Sequence, residues 1–162
     1  MNTYKLTLIS LLAALCVIGR ISFQFLPNVQ PVTTIIIIAS AMLGVLPGIF
    51  IAIISTYLTN LFLGMGIWTI WQMIAWTVIA MLSGLLGKYE KSNKMIAFLL
   101  FSILAAYIYG LVVNIGSFTY AGSFLAYYLA GIPFDTMHAI GNGAFMLILY
   151  PILVRLFQHQ NG

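Results

Sequence analysis

Charged side chains are scarce in this 162-residue sequence. Lys and Arg number six and Asp and Glu two, so that 5% of the chain is charged while 63% is hydrophobic. A soluble domain carries about 25% charged residues, and this composition therefore excludes an ordinary soluble fold. A helix needs roughly 20 mainly apolar residues to cross a bilayer. We therefore expect about five or six membrane helices and treat residues 1–162 as a single membrane domain.

Several kinds of chemistry are also missing from the sequence. Its one cysteine, Cys16, excludes a disulfide within the chain. There is no glycine-rich phosphate loop, no cluster of metal-ligating residues and no pair of acids within one span. We therefore predict no metal site, no covalently bound cofactor and no ATP hydrolysis by the chain itself. The few basic residues lie mostly beside predicted span ends, where they set topology rather than indicate a nucleic-acid partner.

Apolar runs separated by Gly, Pro and charged residues predict six transmembrane helices. The connections are residues 26–31, the turn at Gly44 to Gly48, the turn at Gly64 to Gly66, the charged run 88–94 and a stretch rich in Gly, Ser and Tyr at residues 116–130. The second span is so short that the alternative is a re-entrant segment. The predicted spans cover residues 3–25, 33–45, 47–63, 68–86, 95–115 and 133–157.

The basic residues predict the direction of the chain. With six crossings both termini share a side, and Lys5, residues 88–94 and Arg155 all fall on it. The positive-inside rule places this side in the cytoplasm. Arg20 and Asp135 are the two charges left in the spans. Both fall in the outer part of the membrane, and we predict that they form a structural pair.

Three polar residues of the last span share one helical face. His138 and Asn142 follow Asp135 at offsets of three and seven, which puts their side chains on the same side of a helix. An ionisable residue inside a membrane indicates a functional site by default. One interpretation is that the three residues bind a polar solute in a cavity between helices. The alternative is structural: Asp135 pairs with Arg20, and the other two join helices by hydrogen bonds.

Amide side chains recur in the outer halves of other spans and in the loop after the first. Amides are costly to leave unpaired in lipid, so they indicate either a solute cavity or hydrogen bonds between helices. We assign the following amides to the cavity: Asn28, Gln30, Asn60, Gln72 and Asn114.

Three tryptophans, Trp68, Trp71 and Trp76, lie within nine residues at the start of the fourth span. An aromatic belt at the membrane interface is one explanation. The other is a wall on which a ring-containing ligand stacks. Trp71, which adjoins Gln72, is the tryptophan that we place in the site.

The chain resembles the substrate-specific S component of energy-coupling factor (ECF) vitamin transporters. The resemblance spans almost the whole chain and includes the segments 26–31 and 68–73. Its main motif is Pro133-Phe134-Asp135-x-x-His138-x-x-Gly141-Asn142.

The resemblance implies an all-α integral membrane protein of the bacterial cell membrane, built as a six-helix bundle with both termini in the cytoplasm. Such a component is not an enzyme. It binds a water-soluble vitamin or precursor on the outer side and topples in the membrane to release it inside. Its partners are a transmembrane coupling subunit and two ATPase subunits, which alone use ATP. Loops at residues 26–32 and 64–68 would close over the cavity.

The family's contact with the coupling subunit is an Ala-x-x-x-Ala motif on the first span. The match here runs from Ser10 to Ala14, with Ser in the first position. Because Ser also allows close helix approach, the resemblance implies that both residues lie in the interface.

Two vitamins fit features of the sequence. The 26–31 loop and the Trp71 and Gln72 pair resemble members associated with corrinoids such as cobalamin. Arg20 would instead suit a carboxylate-bearing vitamin such as pantothenate, provided that Asp135 does not neutralise it.

Two other classes of function compete with the S component. One is a self-sufficient secondary transporter that uses Asp135 and His138 as a proton relay. The other is an intramembrane enzyme with His138 as its base.

Overall fold

The computed structural model describes residues 3–89 and 94–158, and its elements are all helices. Five of them are long and apolar enough to cross a membrane, and one is shorter. This confirms the predicted all-α membrane bundle. The helices are α1 (Thr3–Ser22), α2 (Val32–Leu43), α3 (Val45–Leu63), α4 (Trp68–Tyr89), α5 (Lys94–Ala121) and α6 (Phe124–Gln158). Residues 90–93 of the predicted charged loop lie outside the described residues.

The short helix α2 lies at the centre of the bundle. Four consecutive residues, Ile35 to Ile38, are each 0% exposed. Since successive residues of a helix point about 100° apart, protein must cover every side, and α2 indeed contacts each of the other five helices. Its 12 residues give a length of about 18 Å, well short of the roughly 30 Å hydrocarbon core. Because α2 is shielded from lipid, it need not reach both surfaces.

Contacts at the two ends of α2 show the direction in which α4 runs beside it. Thr33, at its start, hydrogen-bonds both Trp76 of α4 and His138 of α6. At its other end, Ala41 lies against Gly87 near the end of α4. Helix α4 therefore runs parallel to α2. Following the predicted topology, we call the end where α2 begins the outer end.

Helices α5 and α6 form a long antiparallel hairpin. Three contacts set its register: Ser102 with Asn142, Gly110 with Asp135, and Asn114 with Gly131. About 11 residues of each helix extend beyond the level of Asp135, or about 16 Å. Asp135 is thus deep in the hairpin rather than near the start of its helix.

This hairpin corrects the predicted span ends. Helix α5 continues to residue 121 rather than 115, and α6 begins at 124 rather than 133. The Gly-rich stretch between them predicts a loop, but Gly116 is a packing position within α5, since a side chain there would overlap the ring of Trp71. In a membrane, helix also satisfies backbone groups that a loop would leave unpaired. The other boundaries agree with the prediction to within three residues.

The close packing of α4 on α2 makes Gly87 a sensitive position. A Cβ at residue 87 would lie 2.8 Å from both the Cα and the Cβ of Ala41. We expect Gly87→Ala to lower the free energy of unfolding by about 1–3 kcal/mol, because one of the helices must shift. Thermal unfolding in detergent can be followed with a thiol-reactive fluorophore, since Cys16 is the single cysteine and is 0% exposed.

Gly143→Ala is the matched control. A Cβ there meets its nearest atoms at 3.8 and 3.9 Å, which is ordinary contact, so we expect an unchanged or slightly higher unfolding temperature. Equal unfolding temperatures for the two variants would contradict the packing described here.

Candidate functional site

Polar side chains from all six helices meet inside the bundle at the level where α2 begins. Most of them are buried, although Arg20 and Gln72 are partly exposed. The cluster comprises Arg20 from α1, Thr33 and Thr34 from α2, Asn60 from α3, Thr69, Gln72 and Trp76 from α4, Tyr109 from α5, and Asp135, His138 and Asn142 from α6.

One hydrogen-bonded chain joins α1, α3 and α4. Arg20 Nη2 donates to Gln72 Oε1 at 3.4 Å, and Asn60 Nδ2 donates to the same oxygen at 2.8 Å and to Thr69 Oγ1 at 2.9 Å. Because arginine can only donate, the oxygen of the Gln72 amide must face it. The guanidinium also lies over the ring of Trp76, 5.3 Å from its centroid. Arg20 is therefore held on the α4 side of the cluster.

A second chain joins α4, α2 and α6. Trp76 Nε1 donates to Thr33 Oγ1 at 2.9 Å, and the same hydroxyl lies 2.8 Å from His138 Nε2. Tyr109 packs edge-to-face on His138, with 5.1 Å between ring centroids, and against Trp76 at 4.7 Å. The imidazole is thus fixed by a hydroxyl on one side and an aromatic ring on another.

Asn142 ties α6 to α5 and α2 one turn below His138. Its Nδ2 donates to the backbone carbonyl of Ser102 at 2.9 Å, and Thr34 Oγ1 donates to the backbone carbonyl of Asn142 at 3.2 Å. Since a backbone carbonyl only accepts, the NH₂ group of the Asn142 amide must face α5. The amide oxygen is left for another partner.

The predicted ion pair between Arg20 and Asp135 is not formed. The Asp135 carboxylate occupies the space beside Gly110 of α5 where a side chain would otherwise lie. Arg20 donates instead to Gln72, on the α4 side. Tyr109 is close enough to interact electrostatically with both charges. Similar depth in the membrane did not bring the two together, because α4 holds the arginine and α5 accommodates the acid.

The cluster concentrates buried polar atoms that lack a partner. Five such side-chain atoms occur in the described part of the chain, and four belong to the cluster; the fifth, Ser40 Oγ, lies near the opposite end of α2. Leaving a buried polar group unpaired costs about 1–3 kcal/mol. The four cluster atoms are Arg20 Nη1, Asp135 Oδ2, His138 Nδ1 and Asn142 Oδ1.

The loop between α1 and α2 lies over one side of the site. Its residue Val29 packs against Gly141 of α6, where a side chain would meet it at 3.2 Å, and Pro31 packs against Gly19. Asn28 adopts a positive φ of 57°, a conformation that asparagine tolerates better than most residues. Gln30 is buried, whereas Asn28 is partly exposed. The structure thus places both predicted loop amides on this covering segment.

Two predicted site residues lie above the cluster. Asn114 Nδ2 donates to the carbonyl of Gly110 in its own helix, at 2.8 Å, and its side chain packs against Gly131. The ring of Trp71 packs on Gly116. Both side chains therefore join α5 to a neighbouring helix, one turn or more outward from Asp135.

Several residues of the cluster were not predicted from the sequence as site residues. Thr33, Thr34 and Tyr109 received no role, and Trp76 was passed over for Trp71. One signal was present for Trp76, since it follows Gln72 by four residues and therefore lies on the same helical face. Nothing in the sequence singled out the threonines or the tyrosine, which are common residue types in membrane helices.

An apolar groove of about 260 Å³ lies beside the covering loop. Gly19, Phe23, Pro31 and Phe145 are among its lining residues, and Ser22 is the one with a polar side chain. None of the four unpartnered cluster atoms belongs to a lining residue. This groove is therefore not suited to a polar solute.

Ser10 and Ala14 lie on the outside of α1. Both are exposed in the single chain, as are Leu11 and Leu15 on the same helix. The Ser10 hydroxyl donates to the carbonyl of Leu6 at 3.0 Å, so it needs no other partner in lipid. The two small residues leave a shallow surface that another helix can approach.

Comparison with known proteins identifies the family. Residues 4–157 match the family model described as the substrate-specific component of the ECF transporter. No curated protein and no solved structure gave a match. The match covers nearly the whole chain and confirms the resemblance drawn from the motifs. The chain belongs to the substrate-specific components of ECF transporters, which are multi-pass integral membrane proteins.

Proposed function

We propose that this protein is the high-affinity binding subunit of an ECF importer, and that the polar cluster is where its water-soluble solute binds. The observation that carries the proposal is the set of four unpartnered polar atoms on Arg20, Asp135, His138 and Asn142. No other region of the described chain gathers more than one such atom.

Solute binding would explain why these polar atoms are buried without a partner inside a membrane protein. A polar solute that paired with these atoms would remove several unfavourable terms of about 1–3 kcal/mol each. The surrounding side chains are already held by hydrogen bonds and ring contacts. These side chains therefore lose little conformational freedom when the solute binds, and preorganisation of this kind favours high affinity.

The solute would enter the cluster from the outer side of the membrane. The α1–α2 loop covers the cluster through its contacts on Gly19 and Gly141, and the connection at residues 64–67 adjoins Thr69 of the cluster, whose Oγ1 lies 3.4 Å from the Gly66 nitrogen. We propose that these two segments close over the bound solute. Release would follow when the protein topples against the coupling subunit, with ATP hydrolysed by two ATPase subunits.

Water-soluble vitamins and their precursors are the proposed solutes. Corrinoids and pantothenate are the two candidates from the sequence. Arg20 would suit a carboxylate-bearing vitamin if Asp135 did not neutralise it. The absence of a pair between Arg20 and Asp135 supports pantothenate on this ground.

Reconstitution tests the role of the partners. In proteoliposomes containing this protein, the coupling subunit and both ATPases, we expect uptake of the solute that co-purifies with it, identified by native mass spectrometry. Omitting the ATPases should abolish uptake. The competing function, a proton-coupled transporter using Asp135 and His138, predicts instead that the isolated protein accumulates solute under a pH gradient alone.

Two asparagines provide a matched test of the site. We expect Asn142→Ala to weaken solute binding roughly 10-fold or more, because one hydrogen bond to a buried solute is lost. Asn114→Ala removes an amide from α5 that bonds within its own helix, and should change affinity less than about threefold. Calorimetric titration, with unfolding temperature as the check on folding, distinguishes them. A larger effect at Asn114 would place the cavity above the cluster.

The exposed face of α1 can be tested separately from the site. We expect Ser10→Leu and Ala14→Leu to reduce assembly with the coupling subunit, since a large side chain prevents close helix approach, while solute affinity stays unchanged. Ala126→Leu, at an exposed position of α6, is the control. Pull-down of the coupling subunit reports assembly. Normal assembly of both α1 variants would exclude this face as the interface.

A further inference from the structure

The unpartnered atoms of the cluster also specify the chemistry of the solute. We infer that it is a small acid, about 10 Å long, whose carboxylate is bound by Arg20 and His138 and whose hydroxyl or N–H groups donate to Asp135 and Asn142. This inference rests on the proposed function, because it assumes that the cluster is the binding site.

Arg20 provides the positive charge. Its Nη2 is engaged by Gln72, whereas its buried Nη1 has no partner. A carboxamide oxygen leaves the guanidinium charge uncompensated, and Asp135 does not pair with it. A carboxylate is the group that satisfies both the free N–H and the charge.

His138 offers a second donor beside the arginine. The Thr33 hydroxyl receives the Trp76 N–H, so its single hydrogen is free to donate to His138 Nε2, 2.8 Å away. If Nε2 carried the proton instead, the hydroxyl oxygen would accept from both rings, and its own hydrogen would be left without an acceptor among the hydrogen bonds of Thr33. The proton of the neutral imidazole therefore lies on Nδ1, which is buried and unpartnered. Thr33 and Trp76 act as positioning residues that make the free nitrogen of His138 a donor.

The start of α2 adds to the preference for an anion. This helix begins at Val32, next to the Thr33 that binds His138, and no side chain caps its first turn. The positive end of a helix dipole favours a nearby negative charge. His138, which is 0% exposed and has an unpartnered nitrogen, lies beside this end.

Acceptors lie on either side of His138 along α6. Asp135 presents Oδ2 one turn outward, and Asn142 presents Oδ1 one turn inward. Both atoms can receive hydrogen bonds from a solute, and seven residues separate their positions, or about 10 Å along the helix. A solute that reaches both is short and bears donors on each side of its acidic group or at its far end.

The burial of the cluster limits the size of the solute. His138 and Asn142 are each 0% exposed and Asp135 is 4% exposed, and helices α2, α5 and α6 pack tightly around them through the contacts at Thr33, Ser102 and Gly110. A macrocycle such as a corrin would have to separate these helices to reach the unpartnered atoms. This geometry favours a small acid over a corrinoid.

Pairs of compounds that differ only in the acidic group test the inference. Purified full-length protein in lipid nanodiscs is titrated calorimetrically with pantothenate and pantothenol, biotin and biotinamide, nicotinate and nicotinamide, and with cyanocobalamin and thiamine. We expect the tightest ligand to be an acid with additional donors, and its neutral counterpart to bind roughly 10–100-fold more weakly, as for loss of a hydrogen bond to a charged group. Arg20→Gln should reduce that ratio to about threefold or less.

The tautomer of His138 gives a second readout that does not depend on the ligand. In ¹⁵N-labelled protein, the imidazole of His138 should show the Nδ1–H form, and Thr33→Val should mix the two tautomers. The Nε2–H form in the unsubstituted protein would overturn the assignment of His138 as the second donor.

The outcomes separate this inference from the proposed function. Tightest binding by a neutral, cationic or macrocyclic compound, or equal affinity for an acid and its neutral counterpart, overturns the inference and leaves the proposed function standing. Failure of every compound to bind, together with an absence of ATPase-dependent uptake, overturns both.

Discussion

The short length of the central helix determines where the buried polar side chains of this protein lie. Helix α2 is about 18 Å long and is enclosed by protein on every side. At the level of its first turn, polar side chains from α2 and the surrounding helices meet in the interior of the bundle. No water is available in a bilayer to satisfy such groups. They therefore hydrogen-bond to one another wherever they can, and the few atoms left unpartnered are those to which we propose that a solute binds.

The same hydrogen bonds that stabilise the cluster also position its free atoms. Gln72 holds one nitrogen of Arg20 and leaves the other available, and Thr33 does the same for the imidazole of His138. The polar cluster is thus separate from the exposed face of α1 around Ser10 and Ala14. In the proposed function, solute binding and assembly would therefore involve different parts of the chain.

Much of the helical architecture could be predicted from hydrophobic runs and turn residues. The prediction was least accurate for the α5–α6 hairpin, where Gly116 and Gly131 fall between two predicted spans. Both are positions at which another side chain packs on a helix, Trp71 on the first and Asn114 on the second. A glycine in a sequence indicates either a break or a close contact, and only the neighbouring helix distinguishes the two.

The sequence by itself determined which residues share a helical face and which family the motifs resemble. Asp135, His138 and Asn142 follow from the helical period alone, because that period is a property of one helix. Only the tertiary structure decided what each side chain meets: Asp135 lies at Gly110 instead of at Arg20, and Thr33 links His138 to another helix. The physical reason is that depth and face are set within a helix, whereas contacts depend on how several helices pack around α2.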